Sequence, residues 1–181
     1  KGKPKRFRKN NVTYYVANRD KKLLIVPSIG HLYTIVQKKG KYNYYPIFNF
    51  KWVPRYQVEK GAQAIRNWIK TFSELSFYAN EFISACDFDI EGSLIAYFIL
   101  KYACKNKEIF AKRMKFSTLT KSELKKAYEN PLPELNFSLI ESGKIRHEID
   151  WLYGINLSRA LTLAFDHWSG KYFSLTTGRV Q

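Results

Sequence analysis

The sequence predicts an α/β fold: strands covered by helices over residues 1–130, then an all-helical stretch over residues 131–181. Three observations predict it. Val12-Thr13-Tyr14-Tyr15-Val16 and Lys22-Leu23-Leu24-Ile25-Val26 are β-branched and aromatic, as strands are. Ala64, Ile65, Trp68, Ile69, Phe72 and Leu75 recur at the three-and-four spacing of a helix with one apolar face. The apolar run Phe82–Cys86 then stops at acids and leads into a second helix-compatible run, Ser93–Leu100. Strands and helices in alternation describe a sheet with helices on its faces. The punctuation Asn130-Pro131-Leu132-Pro133 sets the boundary between the two parts.

The remaining elements follow in order. Residues 1–11 read as a basic lead-in, either a flexible phosphate-contacting arm or a solvated loop, and Asn18-Arg19-Asp20 reads as a turn. In Pro27–Leu32, Gly30 permits positive φ. His31 after it offers a donor for phosphate, but its residue context favours a ring satisfied within its own turn. Lys41–Trp52 alternates and reads as a strand or hairpin ending at Pro54, and Lys60–Asn80 as the first long helix. Arg113–Phe116 reads as a short strand. Thr120-Lys121-Ser122-Glu123 has capping-box spacing and opens a helix to Tyr128. Two helices, Phe137 to Tyr153 and Leu157 to Trp168, complete the chain.

Composition narrows the partners. In 181 residues, 45% are hydrophobic, enough for a core, and 25% are charged, so the chain is not a disordered tail. Lys plus Arg number 31 against 15 Asp plus Glu, a formal charge of +16, which favours a polyanion. Aromatics make up 17%, and those not in the core suit single-stranded nucleic acid. No apolar run has the length of a membrane span and no signal-peptide pattern is present, so no membrane partner is expected. Cys86 and Cys104 have no metal-ligand spacing and read as packing residues of a reducing cytosol. The opening at Lys1 and the ending at Gly178-Arg179-Val180-Gln181 read as a piece of a longer polypeptide.

The chemistry concentrates at Asp87, Asp89 and Glu91, with Gly92 closing the turn. Three carboxylates this close repel when ionised, so they need a cation or raised pKa values. A hard cation with oxygen ligands, Mg²⁺ above all, answers the first need. The other reading is a solvated acidic turn favoured by the helix dipole. Against it stand the burial expected of the preceding strand and the basic character of the rest of the chain.

Asp87-Phe88-Asp89-Ile90-Glu91-Gly92 resembles the DxDxEG motif of Toprim domains, which topoisomerases, bacterial-type primases and some nucleases share. Three further segments resemble one branch, the type IA DNA topoisomerases, in the right order. Ser28-Ile29-Gly30-His31-Leu32 is similar to their SxGHL segment. Arg146, Asp150, Gly154 and Ser158 match their R-x-x-x-D-x-x-x-G-x-x-x-S pattern, and Ser174–Gln181 resembles their S-[ST]-x-G-R-V-Q segment. Ile90 and the Trp151-Leu152-Tyr153-Gly154 wording look more like archaeal members. The resemblance implies a Toprim-like, mostly parallel sheet flanked by helices, followed by the start of a helical single-stranded-DNA-binding domain. It implies that Asp87, Asp89 and Glu91 are the catalytic Mg²⁺ site. A carboxylate beside two others can have a raised pKa, so Glu91 is a candidate proton donor to the leaving 3′ oxygen, either instead of or besides a ligand role, and which of the three is ligand and which is acid stays open. It implies DNA contacts by His31, Arg146, Asp150, Arg179 and Gln181. The family's first Toprim strand would precede Lys1, and its nucleophilic tyrosine would follow Gln181. None of the 13 tyrosines here has that motif, so none is assigned as nucleophile. The implied partners are DNA with a single-stranded segment and the remaining domains of the same polypeptide, in the cytoplasm at the nucleoid. A reverse gyrase core, a Toprim primase or nuclease, and a noncatalytic nucleic-acid-binding module are the alternatives. The 146–158 and 174–181 segments weigh against the primase and nuclease.

Overall fold

The computed structural model of the chain describes residues 3–18, 21–38 and 44–178. Its contacts fall into two compact units. One is Lys1–Tyr33 with Pro54–Glu141, and the other is Thr34–Val53 with Ser142–Gln181. The class is α/β.

The first unit opens with an antiparallel sheet of β1 (Lys5–Lys9), β2 (Val12–Asn18) and β3 (Lys22–Ile25). The basic lead-in is therefore neither arm nor loop over Lys5–Lys9 but an edge strand. The reason is the turn. Asn10 and Asn11 both adopt left-handed backbone (φ 48° and 64°), the two-residue hairpin geometry that asparagine tolerates. The Asn10 amide donates to Thr71 Oγ1 (3.3 Å) and Glu74 Oε2 (3.1 Å), and buried Thr71 donates to the Lys9 carbonyl (3.2 Å). These bonds anchor the hairpin to α1 (Gln63–Ser76), shorter at both ends than the Lys60–Asn80 reading.

β6 (Phe82–Ser84) lies parallel to β7 (Ala111–Arg113), with Ser84 opposite Arg113. This is the parallel pairing that the Toprim-like reading requires. β7 begins and ends ahead of the expected Arg113–Phe116, although the Met114 N–H still donates to the Ser84 carbonyl (2.9 Å). Between them α2 (Ile90–Phe98) starts at Ile90, not Ser93, and continues as a π-helical turn over Ile99–Ala103. Its sequence is apolar nearly all round, as befits a helix that buries Leu94, Ala96, Tyr97 and Phe98. Phe98 meets Tyr33 and Tyr102 at ring-centroid distances of 6.0 and 5.6 Å. α3 (Lys121–Glu129) is capped by Thr120, whose hydroxyl accepts from the Glu123 N–H (3.4 Å).

In the other unit, β5 (Phe50–Pro54) pairs with β4 (Tyr33–Gln37), a strand the sequence reading did not identify. The expected strand from Lys41 forms only from Phe50; Tyr44–Asn49 is not strand, and residues 41–43 lie outside the described residues. The two expected C-terminal helices are one, α4 (Phe137–Ser169). Residues 154–156, left between the two expected helices, are helical, and Asn156 is engaged by its amide while staying so. Its Oδ1 accepts from the Ile47 N–H (2.6 Å), and its Nδ2 donates to the carbonyls of Ile47 and Leu152 (2.9 Å each).

Candidate functional site

The acidic segment occupies the turn from β6 into α2. Asp89 is the helix N-cap: its backbone is extended (φ −133°, ψ −176°) and its Oδ1 accepts from the Gly92 N–H at 2.6 Å. One carboxylate is thereby fixed at a helix N-terminus, where negative charge is favoured. Gly92 is required by contact rather than by φ. A Cβ there would overlap the Asp87 carbonyl oxygen and stand 3.0 Å from the Asp87 nitrogen and 3.1 Å from its carbonyl carbon. The motif's glycine lets the first aspartate's backbone lie on the helix.

Beneath this turn sits Arg113, 1% exposed. Its Nη1 donates to Ser84 Oγ and to the Cys86 carbonyl, both at 2.8 Å, and its Nη2 to the Asp87 carbonyl at 2.5 Å. Burial lowers its pKa from the ordinary value, opposed by Cys86, Asp89 and Asp87. Burial also pushes the Cys86 thiol up, against the pull of Arg113, which makes Cys86 a packing residue rather than a thiolate. Phe88 is covered on its ring faces by cations, with the Arg113 guanidinium carbon 5.3 Å and Lys115 Nζ 5.1 Å from its centroid.

Asp87 and Asp89 line one cavity of about 420 Å³ with Phe88, Lys115, Phe116, Ser117 and Leu119. Glu91 engages differently: its Oε2 lies 2.8 Å from His31 Nε2, both side chains half-buried. His31 is thus paired across 60 residues and not within its own turn, as its residue context had favoured. That turn serves to present it. Gly30 takes φ +105°, Ser28 Oγ donates to the Gly30 carbonyl (2.9 Å), and Arg55 Nη1 donates to the His31 carbonyl (3.1 Å). Among the described residues, the three carboxylates do not by themselves place three ligand oxygens within 4.8 Å of one another. The donor set suits Mg²⁺ nonetheless. That ion keeps several waters and takes one or two carboxylates with a substrate phosphate, and here two aspartates face a roomy cavity with a lysine on its wall.

Arg146 and Asp150 are exposed one helical turn apart on α4. In the same unit a cavity of about 520 Å³ is lined by Trp151, Ser158, Arg159, Thr162, Tyr172 and Thr177, among others. Arg159 is held by the Tyr44 carbonyl (2.8 Å) and Gln37 Oε1 (2.9 Å). Arg179 and Gln181 lie outside the described residues. Arg113 and Lys115 were missed by the sequence reading as site residues. The available signal was a basic pair two residues apart, Arg113-Met114-Lys115, at the end of the strand that follows the acidic turn and just past it.

An acid turn between a parallel strand and a helix, with a glycine that admits the backbone, defines the class. Residues 7–119 match the Toprim domain, and the chain belongs to that family. It is similar to the archaeal proteins named DNA topoisomerase 1. It is 48% identical to that of Pyrococcus horikoshii and 51% to that of Pyrococcus furiosus, each over 94% of this chain. It is 44% identical to that of Methanocaldococcus jannaschii over 99% of this chain. The aligned region is 25%, 16% and 23% of those relatives respectively, so the chain spans a quarter or less of their length. Among the described residues, no helix is long and apolar enough to cross a membrane.

Proposed function

We propose that this chain is the Toprim part, residues 1–130, and the start of the helical DNA-guiding part, residues 131–181, of a type IA DNA topoisomerase. The parent protein cleaves and rejoins one DNA strand through a tyrosine–phosphate link without ATP, in the cytoplasm at the nucleoid. The observation that carries the reading is the Asp87–Asp89 cavity walled by Lys115, in a chain aligned almost end to end with archaeal topoisomerases.

Asp87 and Asp89 would hold Mg²⁺, which when bound neutralises nonbridging phosphate oxygens. Lys115 offers a phosphate its ammonium on the same wall. Glu91 delivers a proton to the leaving 3′ oxygen during cleavage and takes it back on resealing, and His31 orients the Glu91 carboxyl. Arg113 and Gly92 keep the turn from drifting, so the acids meet the phosphate without rearrangement. His31, Arg146, Asp150, Arg179 and Gln181 guide single-stranded DNA. The nucleophilic tyrosine belongs to another domain of the parent, and this chain alone does not cleave.

The test incubates single-stranded DNA and Mg²⁺ with the parent polypeptide, with its Asp87→Asn/Asp89→Asn variant, and with this chain. Denaturing gels read the covalent protein–DNA adduct. An adduct is expected from the parent, much less from the variant, and none from the chain alone. An adduct mapped to a tyrosine of this chain, or full cleavage by the double variant, defeats the proposal.

A further inference from the structure

The hairpin that opens the chain has a face the topoisomerase reading does not use. The register of β1, β2 and β3 aligns Arg6 with Tyr15 and Tyr15 with Ile25, and Arg8 with Thr13. Paired residues share a face of a sheet, and side chains two apart along a strand share it too. Arg6, Arg8, Thr13, Tyr15 and Ile25 therefore stand on one side. That side is open at these positions: both arginines are exposed, Tyr15 is 37% exposed and Ile25 47%, and it closes only further along, at buried Ala17. The opposite side carries Val12, 2% exposed, near the Thr71 and Glu74 anchor on α1.

The charge on the open side is one-signed. Asp20 is the first acid in the chain, after Lys3, Lys5, Arg6, Arg8 and Lys9. Among the described residues neither Arg6 nor Arg8 is in an ion pair; Arg6 Nη2 makes one long hydrogen bond, to Thr13 Oγ1 at 3.4 Å. Lys9, the cation nearest the turn, is by contrast bound to Glu74 at 3.1 Å. An exposed edge strand invites pairing with another chain, and cations on it oppose that. Cations alone would serve that purpose. An exposed tyrosine directly opposite Arg6 and diagonal to Arg8, on the flat side of a sheet, adds a π-face next to two forked phosphate donors. That is the combination on which unstacked bases of a single strand rest.

We infer that the open face of the β1–β3 sheet, Arg6 and Arg8 with Tyr15, is a contact surface for single-stranded DNA. The arginines take successive phosphates, about 7 Å apart along the strand, and a base stacks on Tyr15. This surface shares no residue with the acid cavity and needs no metal, so it goes beyond the proposed cleavage chemistry.

The test measures anisotropy of a fluorescein-labelled oligothymidylate with the full chain in EDTA, over a range of salt. A duplex of the same length is the second arm. Arg6→Ala/Arg8→Ala is expected to make the slope of log K against log salt shallower by about 1.4, at about 0.7 for each single-strand phosphate contact. Tyr15→Ala is expected to weaken single-strand binding by at least about fivefold, the low end of base–aromatic stacking, and Tyr15→Phe to retain it. Arg6→Lys/Arg8→Lys, which leaves the charge and the strand in place, is expected to keep the slope, so a folding defect in the alanine pair cannot imitate the result. An unchanged slope in the alanine pair overturns the inference. So does equal binding by Tyr15→Ala and Tyr15→Phe, or an equal loss on duplex DNA. Because no Mg²⁺ is present, failure here leaves the cleavage test intact, and failure there leaves this one intact.

Discussion

The turn after β6 and the extended chain after α4 both hold nonhelical backbone in place, by opposite means. At the turn a single buried guanidinium collects the carbonyls of Cys86 and Asp87 and the hydroxyl of Ser84. After α4, two helix hydroxyls each serve one residue of the extended chain twice. Ser158 Oγ accepts from the Thr177 N–H (2.9 Å) and donates to its carbonyl (3.4 Å), and Thr162 Oγ1 does the same for Leu175 (3.0 and 3.1 Å). The spacings match: the four helical residues from Ser158 to Thr162 advance about 6 Å, and two residues of extended chain about 6.8 Å. The first device is ionic, dry and fixed at a point. The second is neutral, half-exposed and behaves as a strand laid along a helix. Charged hydrogen bonds are about twice as strong as neutral ones, so the acid turn is the stiffer of the two.

Arg113→Met tests that ranking most severely. It strips the buried Ser84 hydroxyl and two partly buried carbonyls of their donor; at about 1–3 kcal/mol for a buried group left unpaired and less for the other two, a loss of about 3 kcal/mol is expected in urea unfolding. Arg113→Lys is expected to recover little of it, because an ammonium cannot reproduce the fork. If Arg113→Met costs less than loss of a helix hydroxyl, the ranking is wrong.

Gly92→Ala comes next. Its Cβ must displace the Asp87 backbone, at a cost of about 1–3 kcal/mol for overpacking. Mg²⁺ binding by isothermal titration is expected to weaken alongside the fall in Tm. A fall in Tm with unaltered Mg²⁺ binding would separate the turn's packing from the proposed metal site.

Ser158→Ala removes one rung of the hydroxyl ladder, and about 1 kcal/mol is expected, the net value of an ordinary hydrogen bond. Hydrogen exchange at the Thr177 amide is expected to quicken more than its Tm falls. The smallest effect lies outside both regions, at Glu74. The Asn10 amide and then Lys9 hold its carboxyl below the ordinary carboxylate range. A lowered folded-state pKa gives stability that is present above the unfolded pKa and is lost as pH falls through the folded one. The Tm advantage of the native chain over Glu74→Gln is therefore expected at neutral pH and to vanish in acid.

What the sequence reveals and what it hides divide along range. Asp87, Asp89, Glu91 and Gly92 are legible because a strand, a turn and a helix N-cap are encoded within a few residues. The Thr120 cap is legible for the same reason. Arg113 is not, because its partners lie 26 to 29 residues away and nothing beside it marks it as buried. The His31–Glu91 pair spans 60 residues, so local context assigned the ring to its own turn. The continuity of α4 through residues 154–156 is not legible either, because the Ile47 backbone that occupies the Asn156 amide lies 109 residues away. β1 was obscured by composition: a run of cations looks solvated, and only the Asn10-Asn11 turn folds it into an edge.

The buried guanidinium also decides which oxygens stay available. Arg113 spends its fork on the carbonyls of Cys86 and Asp87 and the Ser84 hydroxyl, not on a carboxylate. An arginine forked onto a carboxylate would occupy the same oxygens that a cation needs. Clamped to the main chain, it sets the position of Asp87 and Asp89 and leaves their side chains to the cavity that they line.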